Sequence, residues 1–171
     1  MNENKKIELP NVSPALLRLF YLYCRRYIRR GFHGLRVDDP ESLRKDPAPS
    51  IIYCNHPSWW DPLICLVLAL RFFPEQTHYA PIDSEQLERY RFFARLGFFG
   101  LEEGTYRGAA RFLKISREIL KKPGAILWLT PEGQFRDPRR RPALISPGLG
   151  HLAVRMKKGV LIPLALEYPF W

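Results

Sequence analysis

The sequence predicts an α/β fold: a mostly parallel central sheet flanked by helices, entered through an N-terminal amphipathic helix. Three observations carry that reading. Short apolar runs alternate along the chain with longer segments of helical periodicity, the order that builds a parallel sheet. Two of those runs, Ser50–Cys54 and residues 125–130, are almost continuously apolar, as strands buried within a sheet are. The 16 prolines are spread at element ends, where they act as punctuation. A length of 171 residues suits one domain, and 46% hydrophobic with 13% aromatic residues supplies a packed core.

Each element follows from its own residues. Ser13-Pro14 opens the first helix and Gly31 closes it: serine caps a helix start, proline suits its first position, and glycine its end. Along residues 16–30, Arg18, Arg25 and Arg29 share one narrow arc, with Arg26 and Arg30 beside it. Leu16, Leu17, Phe20, Tyr21, Tyr23, Cys24, Tyr27 and Ile28 fill the other side. Such a helix suits a membrane interface; it equally suits packing on its own domain with a basic outer face. Residues 31–49 form a loop-rich connector. Ser50–Cys54 is the first strand, and residues 55–60 form a polar and aromatic turn. Asp61-Pro62 opens an apolar helix to residue 73, with Asp61 as N-cap and Pro62 at the first helical position.

Residues 77–80 give the next strand. Residues 84–96 give a helix with Leu87, Tyr90, Phe93 and Ala94 at helical spacing, and Phe98–Leu101 a short strand. Residues 106–121 form a helix with Ala109, Phe112, Leu113, Ser116, Ile119 and Leu120 on one side. A strand at 125–130, a shorter helix at 148–157 and a final strand at 160–166 complete the order. The organisation is therefore a helical segment at 1–34 and a single domain at 35–171.

Charge narrows the partners. Lys and Arg number 27 against 17 Asp and Glu, a formal charge of +10. That excess calls for an anionic partner: nucleic acid, acidic lipid or a phosphorylated substrate. No helix-turn-helix, zinc or RNP-type signature is present, so nucleic acid is not expected. The longest uncharged stretch, residues 47–60, holds Pro47, Pro49 and Pro57 and falls short of the ~18 apolar residues of a membrane span. Residues 1–10 are polar and mixed in charge, unlike a secretory signal. Cys24, Cys54 and Cys65 fit neither a zinc site nor a disulfide framework, and an odd number suits a reducing compartment.

Chemistry is expected at the carboxyl ends of strands. Two such ends stand out: Asn55-His56-Pro57-Ser58-Trp59-Trp60-Asp61 and Thr130-Pro131-Glu132-Gly133-Gln134-Phe135-Arg136. Across the first, Asp61 can accept a hydrogen bond from one imidazole nitrogen of His56. That fixes the tautomer and leaves the other nitrogen as a general base. Asp61 reads equally as a plain helix cap. The spacing alone decides nothing, because His33 with Asp38 and His78 with Asp83 repeat it. His56 has the better context, between an apolar strand and an apolar helix. Cys54, two residues earlier, reads as a small buried strand residue rather than a nucleophile. At the second end, Glu132 follows a buried strand and Gly133 allows close approach to the backbone. Arg136, Arg139, Arg140 and Arg141 follow, either an anion site or a solvated loop. Trp59, Trp60 and the helix that follows are candidates to line an apolar channel, or ordinary core.

With both strand ends in view, the chain resembles the glycerolipid and lysophospholipid acyltransferase family, the group that includes 1-acylglycerol-3-phosphate acyltransferase. The family's first block, Asn-His with Asp five residues after the His, is matched by Asn55, His56 and Asp61. Its third, Phe-Pro-Glu-Gly-Thr-Arg-Ser, is matched in part by Thr130-Pro131-Glu132-Gly133-Gln134-Phe135-Arg136, with the Arg displaced by one. Its fourth, a Val/Ile-rich strand with an internal Pro, is matched by Val160-Leu161-Ile162-Pro163-Leu164. Its second follows a Leu-Gly, here Leu96-Gly97; Glu102-Glu103 stand where its Arg would fall, and Arg107 comes later.

The resemblance runs from about Leu35 onward and selects His56 among the three candidates. It implies the family's fold and transfer of a fatty acyl group from coenzyme A or acyl carrier protein to a lipid hydroxyl. His56 would be the base, oriented by Asp61. Glu132, Gly133, Arg136 and Arg107 would bind the acceptor. No metal or bound organic cofactor is implied. The partners would be lipid acceptor, acyl thioester and the cytoplasmic face of a membrane, with acyl carrier protein a candidate. The alternative is a non-enzymatic membrane protein anchored by its first helix and Arg139, Arg140 and Arg141.

Overall fold

The computed structural model describes residues 7–38, 49–156 and 158–169. Much of the predicted connector, the Lys157 end of the helix predicted at 148–157, and Phe170-Trp171 lie outside the described residues. The order is α1 (Pro14–Gly31), β1 (Ser50–Cys54), α2 (Asp61–Phe72), β2 (Thr77–Asp83), α3 (Ser84–Arg89), a 3₁₀ helix (Arg91–Leu96), β3 (Phe98–Leu101), α4 (Tyr106–Ile119), β4 (Ala125–Leu129), α5 (Pro147–Ala153) and β5 (Val160–Leu164).

The five strands form one sheet in the order β3-β2-β4-β1-β5, and every pairing is parallel. The expected α/β architecture is therefore present. Side-chain alternation along the strands divides the core between the two faces. Ile52, Cys54, Ile126, Trp128 and Ile162 pack with α1 and α2. Ile51, Tyr79, Phe99, Leu127 and Leu129 pack with Ile115 and Ile119 of α4 and Leu149 and Leu152 of α5. The chain thus leaves β1 for a helix on one face and leaves β4 for a helix on the other. β1 and β4 are neighbours with Tyr53 opposite Leu129. In open α/β sheets, ligands bind where connections diverge in this way. The edges are a four-residue strand, β3, and β5, whose Pro163 an edge tolerates.

Several boundaries differ from the periodicity. The single helix expected at 84–96 breaks at Tyr90, where φ −123° and ψ 67° leave helical space. Aromatic packing explains the break: Phe92 and Phe93 sit 6.0 and 6.4 Å from Phe20, and Phe93 sits 5.4 Å from Phe98. These contacts reward a tight 3₁₀ turn over continued α-helix. β2 runs on to Asp83 because β3 gives it a second partner from Ala80 onward. β4 and β5 stop at Leu129 and Leu164, short of the predicted 130 and 166, and α4 stops at Ile119 rather than 121.

In α1, Ser13 Oγ accepts from the Leu16 amide, as a cap should. Only Leu17, Cys24 and Ile28 are buried, a narrow seam within the broad apolar side that the sequence suggests. Leu19, Leu22 and Tyr23 are 65, 58 and 57% exposed. A continuous chain of rings, Phe92, Phe20, Tyr23, Tyr27, Trp60 and Trp59, runs along this helix with successive centroids 4.2 to 6.0 Å apart. It ends in the turn after β1.

Gly97 ends the 3₁₀ helix with φ 104°, a left-handed conformation that side chains disfavour. A Cβ there would also collide with the His78 carbonyl oxygen. Gly97→Ala is expected to lower unfolding free energy by at least about 2 kcal/mol, read by chemical denaturation.

Candidate active site

β1 ends at Cys54, and Asn55 continues its work with a side chain. The Asn55 amide nitrogen donates to the Leu166 carbonyl at 2.9 Å, and the Leu166 amide donates back to Asn55 Oδ1 at 2.7 Å. A carboxamide carries the donor and acceptor of a peptide group. It therefore extends the β1–β5 pairing past its last backbone match, Cys54 with Leu164. His56 comes next, beyond the strand. The Asp61 amide donates to the Ser58 carbonyl at 3.1 Å, and the Trp60 amide to Ser58 Oγ at 3.3 Å. This turn doubles the chain back into α2.

Asp61 does not serve as the helix cap that its position suggests. Trp60 occupies the cap with helical backbone angles. The Asp61 side chain points back into the turn and is 1% exposed. Its Oδ2 lies 2.6 Å from His56 Nδ1 and accepts from the Ser58 amide at 3.1 Å. Its Oδ1 accepts from the Tyr168 hydroxyl at 2.5 Å. A buried carboxylate is costly unless it is hydrogen-bonded, and these three partners use both oxygens. The Tyr168 phenol is pushed well above its ordinary range, first by burial and then by its bond to Asp61. It therefore stays an O–H donor.

With a carboxylate on Nδ1, the proton of neutral His56 belongs on that nitrogen and Nε2 keeps its lone pair. The His56 side chain is 19% exposed, so solvent-side molecules reach it. Phe135 lies against the ring, with centroids 4.4 Å apart.

The second strand end brackets His56 along the backbone. Glu132 Oε2 accepts from the His56 amide at 3.3 Å, and the Arg136 amide donates to the His56 carbonyl at 3.0 Å. Gly133 turns the loop with φ 68° and donates to the Thr130 carbonyl at 3.0 Å. A Cβ there would meet nothing, so the requirement is backbone conformation. With its amide oxygen turned toward Arg136, Gln134 accepts from the guanidinium Nε at 3.2 Å. Arg139 pairs with Asp137 at 3.2 Å, and Arg141 donates to the Pro138 carbonyl, so both are engaged within their own loop. Arg107 stands apart. It is exposed in the first turn of α4, after β3, with β2 and β4 between that strand and β1.

The structure thus gathers His56, Asp61, Glu132, Gly133 and Arg136 and leaves Arg107 outside. It adds Ser58, Phe135 and Tyr168, which the sequence reading did not single out. Ser58 carries a local signal, a turn serine three residues before the aspartate; Tyr168, 107 residues from Asp61, carries none. Ile64, Leu68 and Ala69 of α2 are buried in the core, while Val67 and Arg71 help line a surface pocket against α1. Cys54 is buried, its Sγ 3.9 Å from that of Cys65, whose thiol this contact and burial push well up. Among the described residues, no cluster of three or more His, Cys, Asp or Glu could hold a metal ion.

The two repeats of the His–Asp spacing have other fates. His33 and Asp38 are exposed, with no bond between them. His78 is buried in β2: its Nε2 lies 3.0 Å from the Phe73 carbonyl, and its Nδ1 accepts from the Trp128 indole at 3.2 Å. Asp83 turns away and caps α3 through the Gln86 amide at 3.0 Å.

Among known families, the sequence model described as Acyltransferase matches residues 34–167. No curated protein and no solved structure matches the chain.

Burial lowers the His78 pKa to about 4, outweighing its bond to Phe73. The unfolded chain binds the proton more readily, so this histidine costs nothing above pH ~6.5 and destabilises increasingly as pH falls toward 4. The loss should reach about 3 kcal/mol. Denaturation curves across this window should show it in wild type, and His78→Gln should remove it.

Proposed function

We propose, from the premise that this chain belongs to the acyltransferase family, that it moves a fatty acyl group from an acyl thioester to a hydroxyl of a lysophospholipid or related lipid. The observation that carries this reading is His56 held through Nδ1 by a buried carboxylate, with Nε2 free. In the reaction, the acceptor hydroxyl gives its proton to Nε2 as its oxygen attacks the thioester carbonyl. Asp61 stabilises the imidazolium that forms. The tetrahedral intermediate collapses, the carbon–sulfur bond breaks, and the leaving thiolate recovers the proton from Nε2. No covalent acyl-enzyme is required. General base catalysis supplies about 10²–10⁴-fold; positioning supplies further acceleration.

The donor is acyl-coenzyme A or acyl carrier protein, and no bound cofactor takes part. Glu132, Gly133 and Arg136 shape the acceptor site, and Arg107 contributes to it if an acceptor head group extends that far along the sheet. Arg136, whose amide is bonded to the His56 carbonyl, is the cation that meets an anionic head group.

The same reading places the protein on the cytoplasmic face of a membrane. Support comes from α1, whose exposed Leu19, Leu22 and Tyr23 accompany exposed Arg18, Arg25, Arg26, Arg29 and Arg30. Rings that can sit at head-group depth, joined to cations, suit an anionic interface. No described helix is long and apolar enough to cross a membrane.

Acyl transfer is tested by mass spectrometry, offering palmitoyl-coenzyme A or palmitoyl-acyl carrier protein and a panel of lysolipids. His56→Ala should lose at least about 100-fold in rate, while folded His78→Gln keeps activity. Equal rates in both variants would remove His56 as the base. For the membrane, Arg18, Arg25 and Arg29 replaced together by Glu should abolish sedimentation with vesicles of anionic phospholipid, and wild-type binding should weaken with salt. Salt-sensitive binding with no acyl transfer from either donor would favour a non-enzymatic anchor.

A further inference from the structure

We propose that Tyr168 is a positioning residue of the catalytic pair, acting through Asp61; the proposal rests on His56 being the base. Asp61 has two oxygens with different tasks. Oδ2 serves His56 and Ser58, both within the turn after β1. Oδ1 accepts from Tyr168 alone among the described residues. Without that donor, half of a nearly fully buried carboxylate would be unpaired. The group would then gain by rotating toward another donor, and any rotation carries Oδ2 away from Nδ1. The Tyr168 bond is therefore what sets the carboxylate plane in which His56 is held.

The tyrosine is itself held in place. Two residues earlier, Leu166 is buried and bonded at both its amide and carbonyl to Asn55. The Tyr168 ring lies 5.8 Å from Phe32, which in turn packs edge-on to Trp60 at 5.0 Å. The hydroxyl bonds Oδ1, the oxygen that does not hold the imidazole. Burial and the bond to Asp61 keep it protonated. It donates, and does not compete as a base.

Tyr168→Phe removes one oxygen and keeps the ring that packs on Phe32. With the acceptor found active above, kcat should fall about 10- to 100-fold while KM stays within twofold of wild type, the effect of a misaligned base rather than a lost binding contact. In protein labelled with ¹⁵N-histidine, the His56 Nδ1 proton, identified by its absence in His56→Ala, should shift. That resonance reports the pair without turnover. A kcat within twofold of wild type together with an unmoved Nδ1 resonance would overturn the proposal while leaving His56 as the base. Undiminished activity in His56→Ala would instead overturn the reading on which it rests. Thermal denaturation of each variant, run alongside, sets the assay temperature below any loss of fold.

Discussion

The site depends on one expensive group, the carboxylate of Asp61. It is nearly fully removed from water at the start of a helix whose remaining inward face is aliphatic. Such a charge persists only where donors surround it. Its donors come from distant parts of the chain: His56 and Ser58 from the turn after β1, Tyr168 from the segment beyond β5. They can meet only because β5 lies beside β1 in the sheet. The fold and the site are thus one problem. The sheet order supplies the third donor, and the third donor makes the burial tolerable.

Three His–Asp pairs with equal spacing show how little spacing determines. His56 stands two residues past the end of its strand, where the backbone turns and leaves the side chain partly open to solvent. His78 stands within a strand paired to β4, buried where its ring must satisfy a carbonyl and an indole. The same residue type is partly open to solvent in one place and a buried core group in the other. Desolvation makes the difference.

Much of this was legible from residues. Alternating apolar runs indicated a parallel sheet, and it is parallel throughout. The two motif-bearing strand ends lie side by side, as β1 and β4. What escaped was set by contacts between elements. The break at Tyr90 comes from rings that reach Phe20 and Phe98, and no local periodicity encodes it. α1 reads as having one broad apolar side, yet only its Leu17, Cys24 and Ile28 are buried. Asp61 in front of Pro62 has the signature of a helix cap, and the competing donors of the turn claim its side chain instead. Asn55 reads as part of a motif, but its pairing with Leu166 spans 111 residues.

The placement of β1 also governs how the chain can assemble. It is the first of the described strands in chain order, yet neither of its neighbours follows soon. β4 begins at Ala125 and β5 at Val160. Until both have emerged, the aliphatic run Ser50–Cys54 has two open edges and no lasting partner. Closing loops of that length before any pairing reward is slow, and unpaired strand edges are where chains associate wrongly. β1 therefore stays open to wrong association until β4 and β5 are both available to flank it.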